Sequence, residues 1–324
     1  MKRALPLALL IALSTPACGS IELVYPVEGP DAGADAAPDA EPPPEEAGPP
    51  PPPMLGPSLA LDDLHIATLK EAFHAFALLG GLVNEQFKTN IQNGTLLVGL
   101  ELRELDDPSG QNDDAMTVAM IGLSDSDGDP SDNFDPNTPE TFAPAPLSFA
   151  MGDNPTVLFS QASVKDGKLH AESVGLLSVP GLPIPFANPV LEGTLMASAE
   201  NDFVKTLENG RLTGAVPASL LSLVPNITMG TCNGQTLLDV IATGCGVFAL
   251  QPEVDLDGDG LEKLFDDENA DADAGSGKDG QIDRCVDGDG TEILGTDCAS
   301  DPRIADAYRL VFALHGVRAF VLAP

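Results

Sequence analysis

Ser163-Val164-Lys165-Asp166-Gly167-Lys168-Leu169-His170, inside the longer run Thr156–Leu177, alternates polar and apolar side chains on both sides of an Asp-Gly pair. Period-two alternation marks a strand with one buried face, and Asp-Gly supplies the left-handed backbone angles of a two-residue hairpin turn. The stretch therefore reads as two antiparallel strands, Thr156–Val164 and Lys168–Leu177. The same pattern spreads in both directions. Thr95–Arg103 is a nearly continuous apolar run, Ala115–Leu123 follows after a polar turn, and Pro189–Ala199 and Phe203–Glu208 add two more strands, the last ending at the turn signal Asn209-Gly210. Pro180–Pro189 holds four prolines and reads as a surface crossing or edge. Asp306–Leu322 closes the chain as a final strand kinked at Gly316. Strand and turn at this frequency predict a mainly β (α+β) domain, an antiparallel sandwich or irregular barrel with a few short helices.

The helices are expected in three places. Leu61–Gln92 carries Leu61, Leu64, Leu69, Phe73, Phe76 and Leu79 at intervals of three to five, is interrupted at Gly80-Gly81, and stops at Asn93-Gly94. Pro217–Val224 suits a short helix with proline in its first position. Gln235–Thr243 suits another, ended by Gly244.

Before the final strand the composition turns acidic. Residues 253–301 hold 17 Asp and Glu against 3 Lys and Arg, so 49 residues carry 14 of the chain's 35 net negative charges. At its head stands Asp255-Leu256-Asp257-Gly258-Asp259-Gly260-Leu261-Glu262-Lys263-Leu264-Phe265-Asp266. Carboxylates at the first, third and fifth places converge when the backbone coils tightly, and Gly260 at the sixth gives the freedom that coil demands. An oxygen-only donor set suits a hard cation, calcium above all. The run resembles the calcium loop of EF-hands, and in having Asp at the twelfth place it is closer to the dockerin form. That resemblance implies ligand roles for Asp255, Asp257, Asp259, the Leu261 carbonyl and Asp266. Val247–Val254, with Pro252 inside it, reads as a strand or extended entry where an EF-hand has a helix. With single-oxygen Asp ligands an affinity on the order of 10⁻⁴ to 10⁻³ M is expected, as in extracellular modules.

Further on, Asp279-Gly280-Gln281-Ile282-Asp283-Arg284-Cys285 is similar to the second half of a thrombospondin type 3 repeat. The resemblance implies a second ion on Asp279 and Asp283, with Asp287 and Asp289 of Asp287-Gly288-Asp289-Gly290 beside them. The one-three-five spacing also occurs at Asp125, Asp127 and Asp129, but Pro130 stands where the glycine should be and fixes φ near −65°. A solvated loop is the competing reading there. Bound calcium would discharge the repulsion among these carboxylates and contribute folding energy directly.

The N-terminus reads as an export signal over residues 1–17, with Lys2 and Arg3 ahead of a short apolar run. Thr15-Pro16-Ala17-Cys18 resembles the signal of bacterial lipoproteins, in which Cys18 becomes the lipidated first residue; cleavage after Ala17 without lipidation is the alternative. Residues 18–57 are rich in Pro, Ala, Asp and Glu, cannot bury a core, and read as an extended stalk carrying the 58–324 domain. With Cys18 set aside, Cys232, Cys245, Cys285 and Cys298 fall into two pairs, each thirteen residues apart. Four cysteines allow three connectivities; the local pairs Cys232 with Cys245 and Cys285 with Cys298 are expected in an exported chain. A zinc site is disfavoured because no two cysteines are spaced for one.

A net charge of −35 argues against nucleic acid as a partner, because phosphates would be repelled and no basic patch offsets that charge. No nucleophile elbow, zinc-protease helix or complete phosphate loop occurs, and no carboxylate pair is singled out by spacing. His65, His74, His170 and His315 lie apart and read as solvated or satisfied side chains. The expected function is that of a calcium-binding, non-catalytic lipoprotein of the cell envelope, held to the outer membrane by its lipid or secreted, for adhesion, envelope structure or capture of a protein or polysaccharide. The alternative is a secreted hydrolase with structural calcium.

Overall fold

The computed structural model describes residues 53–135, 137–150, 152–182, 185–199, 203–226, 234–244, 249–267, 280–295 and 297–324. They fall in one compact unit beginning at Pro51. The expected signal segment, Cys18, the stalk up to residue 52, Cys232, Cys245 and Asp279 lie outside the described residues.

In chain order the elements are β1 (Ser58–Ile66), α1 (Ala77–Gln92), β2 (Val98–Arg103), β3 (Asn112–Asp125), β4 (Thr141–Pro144), β5 (Leu158–Lys165), β6 (Lys168–Glu172), β7 (Leu176–Ser178), β8 (Pro185–Ala197), β9 (Val204–Pro217), α2 (Ala218–Leu221), α3 (Leu237–Thr243), β10 (Lys263–Phe265), β11 (Arg284–Val286), β12 (Glu292–Leu294) and β13 (Ala307–Val321). The β5–β6 hairpin forms at Asp166-Gly167, where φ is 51° and 74°. Eight strands each pair antiparallel with two neighbours in the circuit β1-β2-β3-β5-β6-β8-β9-β13 and back to β1, so the sheet closes on itself. The fold is a barrel, mainly β with few helices, and closure leaves these strands without free edges. Outside this ring, β7 adds to β8, and β4 lies between β3 and the end of β13, parallel to the latter.

Alternation decides what fills the barrel. Leu169 and Ala171 of β6 are buried while Lys168, His170 and Glu172 face water. Inward residues such as Leu100, Val118, Phe159, Leu191, Leu212 and Phe312 join one continuous cluster, with Phe186 and Phe87 packed on the Phe312 ring at 5.8 and 6.1 Å. Apolar inward and polar outward, as in β6, is the inverse of the pattern of a membrane-spanning strand. A smaller cluster with Phe142, Ile121 and Val321 lies beneath β4.

Two readings of local pattern are corrected. Leu61–Ile66 is strand, not helix: β1 pairs with β13 and β2, and a bulge at Asp62 turns the inward series into Leu59, Leu61, Leu64 and Ile66. That three-residue step imitates helical spacing. The helix starts only at Ala77 and runs unbroken through Gly80-Gly81; Gly80 permits its close approach to Ile66, whose backbone N–H and carbonyl both bond the Asn84 amide. Likewise Asn209-Gly210 makes no hairpin. Asn209 adopts φ 51° within β9 as a register shift against β8, and a side chain at Gly210 would collide with Leu314.

The acidic segment is inserted before the last strand, as expected, and contains the small sheet β10-β11-β12. Cys285 of β11 is bonded to Cys298 in the 3₁₀ turn Cys298–Ser300, with Cα atoms 5.8 Å apart. Leu264, Cys285 and Ile293 belong to the same cluster as the barrel interior, so the insert shares its core.

Candidate metal centre

Val254 pairs with Ala307 at the start of β13, its N–H and carbonyl bonding that residue at 3.1 and 3.0 Å. The bridge sets Asp255 beside Asp306, which lies 51 residues along the chain. From there the loop coils as the glycines require: Gly258 and Gly260 stand at φ 85° and 114°, in the region open to glycine. Asp255 accepts from Gly258 N at 2.6 Å and Gly260 N at 3.2 Å, and Asp257 from Asp259 N at 3.3 Å. The first, third and fifth carboxylates thereby converge: one oxygen each of Asp255, Asp257 and Asp259 lie within 4.8 Å of one another, all three exposed.

Beneath them is a pair that sequence reading did not single out. Glu262 and Asp306 are fully buried and clamp each other's chain: Asp306 accepts from Leu256 N and Glu262 N, both at 3.0 Å, while Glu262 accepts from Ala305 N and Asp306 N at 2.9 and 2.8 Å. An oxygen of Asp257 lies within 4.8 Å of one oxygen on each, so Asp257 belongs to both groups. Burial pushes the Glu262 carboxyl up to about 7, helped by the charge and hydrogen bond of Asp306 and opposed by the two backbone donors. A Glu at the eighth place of the run was a visible signal; the distant Asp306 gave none.

A second acidic turn presses against the first. Side chains at Gly260 or Gly288 would strike the Gly288 carbonyl at 2.9 Å or the Asp259 carboxylate, so Asp257-Gly258-Asp259-Gly260 and Asp287-Gly288-Asp289-Gly290 touch through their glycines. Asp259 is raised above the ordinary carboxylate range by desolvation, then by the hydrogen bond and charge of Asp257 and the charges of Asp289 and Asp255.

The other expected ligands are placed as follows. Leu261 follows Gly260 at the end of the coil and is exposed. Asp266, just after β10, is buried, accepts from Gly280 N at 3.0 Å, and is in none of the carboxylate groups. Asp283 is buried and accepts from Asp267 N at 2.8 Å. Asp287 accepts from Thr291 N at 2.6 Å and faces Arg303, which Asp301 holds at 3.0 Å. Asp125 and Asp129 accept from the N–H groups of their own turns.

All donors at the centre are carboxylates, which fits a hard cation of calcium's kind and offers nothing to a soft one. Five of them brought together on a chain of net charge −35 repel one another, and an ion of charge two relieves that repulsion. Neither protein-family models nor curated proteins nor solved structures give a match to this chain.

Proposed function

We propose that the chain is a non-catalytic, calcium-stabilised β-barrel domain displayed on the outside of a cell envelope, joined to the outer membrane through lipid on Cys18. The observation that carries the calcium reading is Asp257, whose carboxylate is shared between the exposed Asp255 and Asp259 and the buried Glu262 and Asp306. Bound there, an ion would tie the loop to the root of β13, which pairs with β1 and β9 in the barrel wall. An affinity on the order of 10⁻⁴ to 10⁻³ M suits the calcium levels met outside cells. The apolar filling of the lumen supports a structural or surface-binding role, with a protein or polysaccharide partner engaged on the outer wall.

The test is thermal unfolding with calcium and with chelator, for the parent and for Asp257→Asn with Asp259→Asn. Calcium at a hundredfold excess over its dissociation constant stabilises by about 2.7 kcal/mol, a shift of roughly 5–10 °C for a domain of this size. The double variant should lose that shift. Equal midpoints for the parent with calcium and with chelator would refute the reading. Membrane association is tested separately by Cys18→Ser, which should move the protein to the soluble fraction; unchanged partitioning defeats the anchor.

A further inference from the structure

We infer that one end of the barrel binds a free, medium-chain monocarboxylate, its tail in an apolar cleft and its head group on Arg318. The site shares no residue with the calcium centre and stands or falls without it. β1 and β9 begin, and β2 and β13 end, at the same end of the ring, as the pairings Ser58↔Glu101, Ser58↔Ala319 and Val317↔Thr206 require. Between these strand ends and the entering segment 54–57 lies a cleft of about 340 Å³. That is within the roughly 300–1,000 Å³ of small-molecule sites, for which the mouth of a barrel is a preferred place. Leu59, Leu102 and Val204, which belong to the cluster filling the barrel, line it.

Arg318 is the only charged residue lining the cleft. Alternation along β13 puts Arg318 and Phe320 on the face that carries Leu310, Phe312 and Leu314 into the barrel, whereas Ala319 and Val321 join the cluster beneath β4. A charge that continues an apolar series calls for a partner. The chain has 50 Asp and Glu against 15 Lys and Arg, yet none of the ion pairs among the described residues includes Arg318. Arg103, Arg284 and Arg303, by contrast, each hold a carboxylate. The Arg318 guanidinium lies instead against the rings of Phe203 and Phe320, whose centroids are 5.2 and 5.4 Å from its central carbon. Both rings are exposed. Contact with ring faces steadies a guanidinium and leaves its planar fork of N–H donors for a carboxylate, which it can bind through two parallel hydrogen bonds. One guanidinium balances one negative charge. On a chain of net charge −35 a phosphate dianion or a polyanion meets more repulsion than a single cation offsets, so the site selects a monoanion. The apolar walls take its hydrocarbon tail, each buried methylene strengthening binding about fourfold.

The experiment is calorimetric titration of the full chain with sodium decanoate and with decan-1-ol, which has the same tail and no charge. The parent should bind one decanoate, and decanol roughly tenfold more weakly, as the loss of a charge-assisted hydrogen bond predicts. Arg318→Gln should weaken decanoate by about the same factor and leave decanol unchanged. Equal decanoate affinity in the parent and in Arg318→Gln overturns the inference. So does a parent that binds no decanoate, whether its cleft stays empty or the chain's own acidic segment 41–46 covers Arg318. Should Arg318→Gln fail to fold, the parent decides it alone: preference for the acid over the alcohol supports the site, and equal affinities overturn it.

Discussion

Gly260 stands at φ 114°, with the Gly288 carbonyl 2.9 Å from where a Cβ would sit. Gly260→Ala therefore meets both backbone strain and a collision with the second acidic turn. Destabilisation of about 1–3 kcal/mol, with loss of calcium binding, is expected; denaturant unfolding and calorimetric titration check it, and unchanged affinity would mean the coil does not hold the ion. His315 makes a different kind of statement. Burial disfavours its charged form, but Asp62, at 2.5 Å from Nδ1, and Glu208, at 3.2 Å from Nε2, outweigh that and hold its pKa above 6.5. A raised pKa means that the folded state binds the proton more tightly, so this contribution is complete below pH 6.5 and is lost as pH rises through the folded value. Denaturant midpoints of the parent should fall more steeply over that interval than those of His315→Gln. Parallel curves would show that the two carboxylates give the histidine no folding linkage.

Among the elements, β11 has the most concentrated task. It lies between β10 and β12, carries Cys285, and leads into the turn that places Asp289 beside Asp259. The disulfide closes a loop across a separation of 13 residues. Cross-links over loops of this size contribute about 3 kcal/mol through the entropy of the unfolded chain. Cys285→Ser with Cys298→Ser should cost an amount of that order and weaken calcium binding, because the second turn then keeps only its short strands and the contacts of Asp287 with Thr291 and Arg303. Unfolding curves and titration of the double variant measure both effects. A destabilised variant with parental affinity would show that the two turns touch without sharing the ion. β1 illustrates how an element deceives: its bulge both imitates a helical interval and turns the Asp62 carboxylate outward to His315.

For the molecule as a whole, one apolar cluster runs from the barrel interior through Leu221 of α2 and Leu238 of α3 to Leu264 and Cys285. Order in the acidic insert is thereby coupled to the barrel, and the clamp of Glu262 on Asp306 joins the two at the root of β13. The net charge of −35 adds a diffuse repulsion that any salt weakens. Specific binding and general screening are separable. At about 1 M sodium chloride the screening length falls to about 3 Å, so a purely diffuse calcium effect should vanish, whereas ligation by Asp255, Asp257 and Asp259 should leave a reduced but measurable rise in thermal midpoint. Disappearance of the rise would assign the calcium effect to screening alone.

The amino-acid order by itself determined the strand periodicity, the Asp166-Gly167 turn, the left-handed conformation at Gly260 and the position of the acidic insert ahead of β13, and it made the local pairing of Cys285 with Cys298 the expected one of three. Each follows from neighbours in the chain, because side-chain alternation, backbone angles and short loop closures are local quantities. Only the tertiary structure decided that the sheet closes into a barrel, that Leu61–Ile66 is a strand, that Asn209-Gly210 is a bulge inside one, and that Asp306 and Glu262 lie beneath the loop. Those depend on register between strands far apart in sequence, where a single bulge moves every later side chain to the other face.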